Sequence, residues 1–352
     1  MTTGIGNVQL RLLERLCNAV APSSDETEVR NIVIEETRSL ADEIKVDPLG
    51  NVLVTRKGTA RNRPRVMLAA HMDEIGFILT VDEGEGIFRF EVMGGIDPRQ
   101  LAGKMVWVGR EHVPGVIGAR PIHLATKEEL NKKIPAANLR IDLGLNGAGV
   151  KTGDYATFAT PFQRNGQVII AKALDDRLGV ATLIELIKHA SPNIDLLAAF
   201  TVQEEIGRGA GVAAHALDPD MAFVIDSTPA MDLPSWDGEE NLSYNTKLDR
   251  GPAIYVADSA TLSDPRLIRF LIQTAEAEGI PYQLRQPGSG GTDAGAIHLR
   301  KTGIPSVSVS VPGRYPHTAV GLVHLDDWKN TLALLQIALQ RITPEILTQE
   351  RA

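Results

Sequence analysis

Val66-Met67-Leu68-Ala69-Ala70 is an unbroken apolar run that stops abruptly at His71-Met72-Asp73. A run this short, without polar alternation, suits a strand buried on both faces. The same design recurs along the chain. Leu196 to Val202 runs into Gln203-Glu204-Glu205, Met221 to Ile225 runs into Asp226, and Ser306 to Val311 precedes His317. Helical spacing separates these runs over Asp175 to Ala190, Pro265 to Glu278 and Asp327 to Arg341, and Ala253 to Val256 reads as one more strand. Alternating strands and helices predict an α/β fold, a mainly parallel sheet covered by helices. Ahead of them, Leu10, Leu13, Leu16, Cys17 and Val20 mark a helix closed by Pro22. Ser23 and Glu26 have the spacing of a capping box that opens a second helix toward Ala41, and Asn51 to Thr55 reads as a strand.

Between Glu74 and Gln163 the texture changes. Glycine is frequent, helical periodicity fades, and short segments such as Ile87-Phe88-Arg89-Phe90-Glu91-Val92, Lys104 to Val108 and Gly115 to Ile117 alternate or run apolar between turns. This predicts a small β-rich insert. The domain expectation is therefore a discontinuous first domain, 1–73 plus 164–352, interrupted by an insert at 74–163.

The 352 residues are 43% hydrophobic and 23% charged, the composition of a globular chain long enough for two domains. Lys plus Arg number 36 against 44 Asp plus Glu, a formal charge of -8, which argues against nucleic acid or an anionic membrane as a partner. The lone Cys17 excludes an internal disulfide framework and a cysteine-only metal site. No run reaches the ~18 apolar residues of a membrane span, and the N-terminus has no basic stretch leading into an apolar core. A cytoplasmic location is the expectation.

The chemistry gathers at the strand ends: His71 and Asp73, Glu204 and Glu205, Asp226, His317, and Asp175-Asp176 opening a helix. In open α/β sheets, ligands collect at the carboxyl ends of the strands, so these groups are candidates for one crevice. Imidazole with carboxylate and no thiolate suits Zn²⁺, Co²⁺ or Mn²⁺. Two histidines and several carboxylates suffice for two metals sharing a bridging carboxylate. Such a pair activates water and polarises a scissile carbonyl, provided a nearby glutamate accepts the water's proton and passes it to the leaving amine.

These residues carry a resemblance. Ala70-His71-Met72-Asp73-Glu74-Ile75-Gly76-Phe77 resembles the first metal motif of metallopeptidase family 42, the glutamyl/deblocking or tetrahedral aminopeptidases, some once labelled endoglucanases. Gly94-Gly95-Ile96-Asp97-Pro98-Arg99, Gly115-Val116-Ile117-Gly118, Lys172-Ala173-Leu174-Asp175-Asp176-Arg177 and Thr201-Val202-Gln203-Glu204-Glu205-Ile206-Gly207 are similar to further family blocks. Gly291-Thr292-Asp293-Ala294 and Arg314-Tyr315-Pro316-His317 complete the series, in family order over nearly the whole chain.

The resemblance implies a role for each residue. His71 and Asp226 hold one metal, Asp175 bridges, and Glu205 and His317 hold the second. Glu204 is the general base and acid, and Asp73 orients His71. Asp176 follows a cis peptide that aims Asp175 between the metals, and Gly290, Gly291 and Thr292 line the substrate cleft. The resemblance also implies two divalent ions per subunit (zinc or cobalt, with manganese as the alternative) and a short peptide substrate. For the insert it implies a PDZ-like dimerisation module, in dimers that build a tetrahedral dodecamer.

Two stretches depart from the family. After the last histidine the usual Ser-Pro-Val-Glu is Thr318-Ala319-Val320-Gly321, without its acidic group, and Asp226 is followed by Ser227-Thr228-Pro229. Both touch substrate preference and neither touches a ligand. The alternatives to an aminopeptidase are an N-acyl amino acid amidase on the same metals, a glycosidase using Glu204 and Glu205, and a non-catalytic oligomer that keeps the fold.

Overall fold

In β3 (Arg65–His71), Val66, Leu68 and Ala70 join one hydrophobic cluster while Met67 and Ala69 join another. Successive strand residues point to opposite faces, so an unbroken apolar run means a strand covered on both sides. The computed structural model describes residues 4–145, 147–233 and 246–351. In it β3 sits within an 11-stranded sheet. Its other strands, in chain order, are β1 (Glu43–Val46), β2 (Val52–Arg56), β10 (Gln163–Asn165), β11 (Val168–Ala171) and β12 (Asp195–Thr201). They continue with β13 (Met221–Pro229), β14 (Ala253–Tyr255), β15 (Gln283–Arg285), β16 (Ser306–Arg314) and β17 (Gly321–His324).

The main path runs β1-β2-β12-β3-β13-β16-β17-β11-β10, and β14 pairs with β15 and β16. Only the centre, β12-β3-β13-β16, and the β14-β15 pair are parallel. The flanks pair antiparallel, which corrects the expectation of a mainly parallel sheet. The physical reason is the connections: the short turns between β1 and β2 and between β10 and β11 permit only hairpins, whereas parallel neighbours need crossovers.

One face of the sheet is covered by α4 (Leu174–Lys188), which is buried along most of its length beneath α1 (Asn7–Asn18), α2 (Thr27–Thr37) and α8 (Leu325–Arg341). The Trp328 indole of α8 donates to Thr182 Oγ1 of α4 at 2.9 Å, satisfying both polar atoms inside the layer. The opposite face is packed by α5 (Ala210–Leu217) and α7 (Ala294–Ile297), and α6 (Pro265–Glu278) packs beside α8.

Residues 76–158 carry a closed barrel of β4 (Gly76–Asp82), β5 (Ile87–Met93), β6 (Met105–Val108), β7 (Val113–Gly118), β8 (Arg140–Asp142) and β9 (Tyr155–Phe158), with the four-residue α3 (Lys127–Leu130) in the β7–β8 connection. Its order is β4-β5-β8-β7-β6-β9. Phe77 fills the interior, edge-on to Phe90 and Phe158 with centroids 5.1 and 5.2 Å away. It has a core of its own, separate from both sheet clusters.

Several boundaries differ from the sequence reading. β13 continues through Asp226 to Pro229, paired with β16 in the register Asp226↔Ser310, so Asp226 lies within the strand and not beyond it. The Ser23–Glu26 capping box does not form. α2 begins at Thr27, Ser23 Oγ donates instead to Asp73 Oδ2 at 2.7 Å, and Glu26 Oε1 accepts Ser24 N–H. Among the described residues no helix is long and apolar enough to cross a membrane.

Glu26 is buried, and burial pushes its carboxyl up to about 7 from an ordinary 4.5, beside the negative charge of Asp73. Between those two values the folded chain holds a proton that the unfolded chain has released, so folded stability falls as pH rises through this window. Glu26→Gln is expected to remove that fall. By calorimetry its Tm advantage over the parent should be larger at about pH 8 than at about pH 5; an equal difference at both would exclude Glu26 as the source.

Candidate metal centre and active site

Parallel register sets the site. His71, the last residue of β3, pairs with Thr201, the last of β12, so the two chains leave the sheet side by side. Asp73, fully buried just beyond, then holds both: its Oδ1 accepts the Glu204 N–H at 3.0 Å and its Oδ2 the Glu205 N–H at 3.2 Å. The same residue faces His71, whose Nδ1 lies 3.2 Å from the Asp73 carbonyl and 3.4 Å from Oδ1. Asp73 therefore contacts one imidazole and the backbone amides of two adjacent glutamates at once.

Asp175 opens α4 in non-helical geometry, after Ala173 in the left-handed region (φ 52°) and before a cis peptide to Asp176. Its two oxygens face different histidines. Oδ1 lies 3.1 Å from His71 Nε2, and Oδ2 lies 3.6 Å from His317 Nε2. On the first side, Asp226 Oδ1 is 3.9 Å and Glu204 Oε2 4.0 Å from His71 Nε2; on the second, Glu205 Oε2 is 3.3 Å from His317 Nε2. Asp176 turns away to accept the Gly179 N–H at 2.9 Å, although one ligand atom each of Asp176, Asp226 and His71 still lie within 4.8 Å of one another.

The barrel completes the site. His317, itself in the left-handed region (φ 56°), has Nδ1 2.9 Å from the Gly95 carbonyl. With that carbonyl taking the Nδ1 proton, the Nε2 lone pair is left facing Asp175 and Glu205. The close approach requires glycine: a Cβ on Gly95 would sit 3.1 Å from His317 Nδ1, and one on Gly94 (φ +87°) 2.7 Å from Ile75 Cγ2 and 3.3 Å from Glu205 Oε2.

Electrically the cluster is short of positive charge. Burial pushes Glu204, Glu205 and Asp226 well above the ordinary carboxylate range, and neighbouring carboxylates push the same way. Burial would also raise Asp175, but its hydrogen bond to His71 and the charges of both histidines outweigh it and bring it to about 2. Burial would lower His71, yet its bonds to Asp175 and Asp73 hold it well above its ordinary value. Both buried oxygens of Glu205 lack a hydrogen-bond partner among the described residues, a costly arrangement for a carboxylate without a cation. One ligand atom each from His71, Asp175 and Glu205 lie within 4.8 Å of one another. The nitrogen–oxygen donor set and the orphaned carboxylate fit divalent metal.

A cavity of ≈670 Å³ opens beside these groups, lined by Asp175, Glu204, Glu205, Asp226 and His317 on one side and by Gly290, Gly291 and Thr292 on the other. The Thr292 hydroxyl pairs with Ser308 Oγ at 2.8 Å.

Some supporting residues went unread in the sequence. Glu74, buried like its partners, receives Lys172 Nζ at 2.6 and 2.8 Å, Arg177 Nη2 at 3.1 Å and the Ala21 N–H at 3.1 Å. Lys172 also donates to the Ala19 carbonyl at 2.6 Å, and Arg177 donates to the carbonyls of Leu16, Met72 and Asp73. The available signal was charge in the wrong place: Lys172 directly follows the apolar run of β11, and a charge there is buried only if paired.

Carboxylates and histidines gathered at the edge of a part-parallel sheet, beside a cavity, define an α/β protein with a candidate divalent-metal site. Comparison with known proteins narrows the class. The profile described as M42 glutamyl aminopeptidase matches residues 50–334. The glutamyl aminopeptidase of Lactococcus lactis is 30% identical, covering 95% of this chain and 96% of its own. The lysyl aminopeptidase of Pyrococcus furiosus is 31% identical, covering 90% and 92%. Among solved structures, a TET aminopeptidase from a marine-sediment Thaumarchaeota archaeon superposes with TM-score 0.91 at 35% identity, covering 97% and 99%. The TET1 peptidase of Pyrococcus horikoshii, described as assembling into a tetrahedron or a large octahedral shell, gives TM-score 0.82 at 33% identity, covering 95% and 100%. The chain belongs to the M42 family of aminopeptidases, hydrolases of peptide bonds.

Lys172→Met leaves Glu74 and Arg177 buried with their charges rearranged. It is expected to lower the unfolding free energy by about 3–5 kcal/mol in urea titrations. A loss below about 1 kcal/mol would show that the cluster does not hold the site together.

Proposed function

We propose that this chain is a dinuclear metal-dependent aminopeptidase that removes N-terminal residues from short peptides, with Glu204 as general base and acid. The observation that carries this is Asp175, whose two oxygens face two different histidines at 3.1 and 3.6 Å. A bridging carboxylate needs this disposition. His71 and Asp226 would hold one ion, Glu205 and His317 the other, and Asp175 both. Zinc or cobalt suits the set, with manganese as the alternative. When bound, the ions supply Lewis acidity to the scissile carbonyl and acidify a water.

The chain's own residues do the rest. Glu204 takes a proton from the attacking water as the C–O bond forms, then delivers it to the departing amine as the C–N bond breaks. Its burial, which raises its proton affinity, suits a group that must hold that proton between the two steps. Asp73 holds the Glu204 and Glu205 amides and orients His71, and Asp176 shapes the start of α4. Gly290, Gly291 and Thr292 line the peptide's cleft.

The proposal extends to organisation. Residues 1–73 and 164–352 form the catalytic domain, and 74–163 a PDZ-like insert, a reading supported by the six-stranded barrel with its own core. The insert would mediate dimers that assemble into a tetrahedral dodecamer. Support comes from the assembly described for the Pyrococcus horikoshii peptidase and from apolar side chains exposed in the barrel region, Met105, Ile122 and Leu124 at 60, 66 and 70%. A cytoplasmic setting agrees with a single, unpaired and buried cysteine, Cys17.

Glu204→Gln is expected to lower kcat by about 10²–10⁴-fold on aminoacyl-arylamides while metal analysis shows both ions retained. Near-parental turnover would remove Glu204 from the mechanism. Asp175→Ala should lose both ions, and full occupancy would overturn the bridging role. N-acyl amino acids tested beside the arylamides separate an aminopeptidase from an amidase on the same metals. Light scattering should report a mass near twelve subunits, and a monomer at micromolar concentration would exclude the shell.

A further inference from the structure

Asn51 lies directly before β2, fully buried, and its hydrogen bonds go to none of the proposed ligand side chains among the described residues. Its amide nevertheless makes three bonds. Oδ1 accepts the Val202 N–H at 2.9 Å, and Nδ2 donates to Asp47 Oδ2 at 2.6 Å and to the Gly209 carbonyl at 3.3 Å. Its orientation is dictated from outside. A carboxylate and a carbonyl can only accept, a backbone N–H can only donate, and a flipped amide would oppose all three.

Val202 and Gly209 are the two ends of the loop that carries Glu204 and Glu205. They stand against each other: Gly209 is in the left-handed region (φ +82°), and a Cβ there would fall 2.0 Å from the Val202 carbonyl and 3.2 Å from Asn51 Oδ1. The loop's interior closes on itself, with Gly207 N–H donating to the Glu204 carbonyl at 2.7 Å and Arg208 N–H to the Gln203 carbonyl at 2.8 Å. Its tip is held where Asp73 accepts the Glu204 and Glu205 amides. Asp47 in turn is locked by accepting the backbone N–H groups of Leu49, Gly50 and Asn51 on its Oδ1. A rigid turn thus presents one amide to both ends of the loop.

We infer that Asn51 is a positioning residue for the reaction: its amide staples the base of the 202–209 loop and so sets where Glu204 and Glu205 stand opposite Asp175. This rests on the roles proposed for those two glutamates. A carboxylate displaced by a fraction of an ångström still permits substrate to bind in the cavity but not proton transfer in line. Loss of the staple therefore lowers kcat and leaves KM nearly unchanged.

The test compares Asn51→Ala with Val54→Ala, a truncation of a fully buried residue of β2 whose partners across the sheet are Ile44 and Ala198. In metal-free protein, hydrogen exchange read by mass spectrometry should be about tenfold faster or more across 202–209 in Asn51→Ala, unchanged in β3, and unchanged across 202–209 in Val54→Ala. In the metal-loaded enzyme, kcat per folded subunit should fall about tenfold or more with KM within about twofold, while Val54→Ala lowers Tm and keeps kcat. Unchanged loop exchange, or a kcat within about twofold of the parent, overturns the inference, as does a kcat loss in Val54→Ala that tracks its Tm. Should Asn51→Ala not fold, Asn51→Asp sets two carboxylates against each other, and adding Asp47→Asn restores a donor–acceptor pair. A double variant no faster than Asn51→Asp alone also overturns it. The loop readout stands apart from the glutamate roles: if Glu204→Gln stays active while exchange still rises in Asn51→Ala, it is the Glu204 assignment that fails.

Discussion

Glu74 is one buried carboxylate on which three pieces of chain converge. Lys172 brings the approach to α4, Arg177 brings α4 itself, and the Ala21 amide brings the turn after α1. With two cations around one anion, the cluster would be untenable in a dry interior were the remaining donors not taken up by the carbonyls of Leu16, Ala19, Met72 and Asp73. The carbonyls of Met72 and Asp73 belong to the segment directly beyond His71, and those of Leu16 and Ala19 to α1 and its C-terminal end. The charge pairing that makes the cluster tolerable is thereby the same set of contacts that holds the end of β3 beside the start of α4, and so His71 beside Asp175.

Built on that anchor, the site concentrates like charge. Asp175, Glu204, Glu205 and Asp226 stand close together around two imidazoles, and burial drives most of these carboxyls toward holding their protons. Such a cluster opposes folding unless something positive enters it, which is why the orphaned oxygens of Glu205 speak for divalent cations more directly than the mere presence of acidic groups does. The barrel takes part: through the Gly95 carbonyl it selects the proton position on His317, and through the bareness of Gly94 and Gly95 it makes room for His317 and Glu205.

Much of this was legible in the chain, for stateable reasons. Apolar runs such as Val66 to Ala70 announce strands covered on both faces, and charged or imidazole groups directly after them announce a strand-end site, because few other places would tolerate them. Periodicity located α6 at Pro265–Glu278 and the last residue of α8 at Arg341. Pairing direction was not legible, since β11 (Val168-Ile169-Ile170-Ala171), which pairs antiparallel with its neighbours, has the same apolar texture as a crossover strand. Nor was the partner of Ser23, whose spacing to Glu26 suited a local cap: Asp73, fifty positions on, offers that hydroxyl a buried charged acceptor, and a charge-assisted bond outcompetes a cap on a backbone N–H.

Sequence by itself determined which residues were candidates for chemistry here and that most of them would stand at or just beyond strand ends, because hydrophobic burial and strand period are local properties of the chain. The tertiary structure alone decided which of them meet. That Asp175 divides its oxygens between His71 and His317, that Gly95 faces an imidazole more than two hundred residues away, and that Asn51 joins the two ends of the glutamate loop all depend on the order and register of strands. Order and register are fixed by packing and hydrogen bonding between segments distant in sequence, and no window along the chain contains both partners of such a bond.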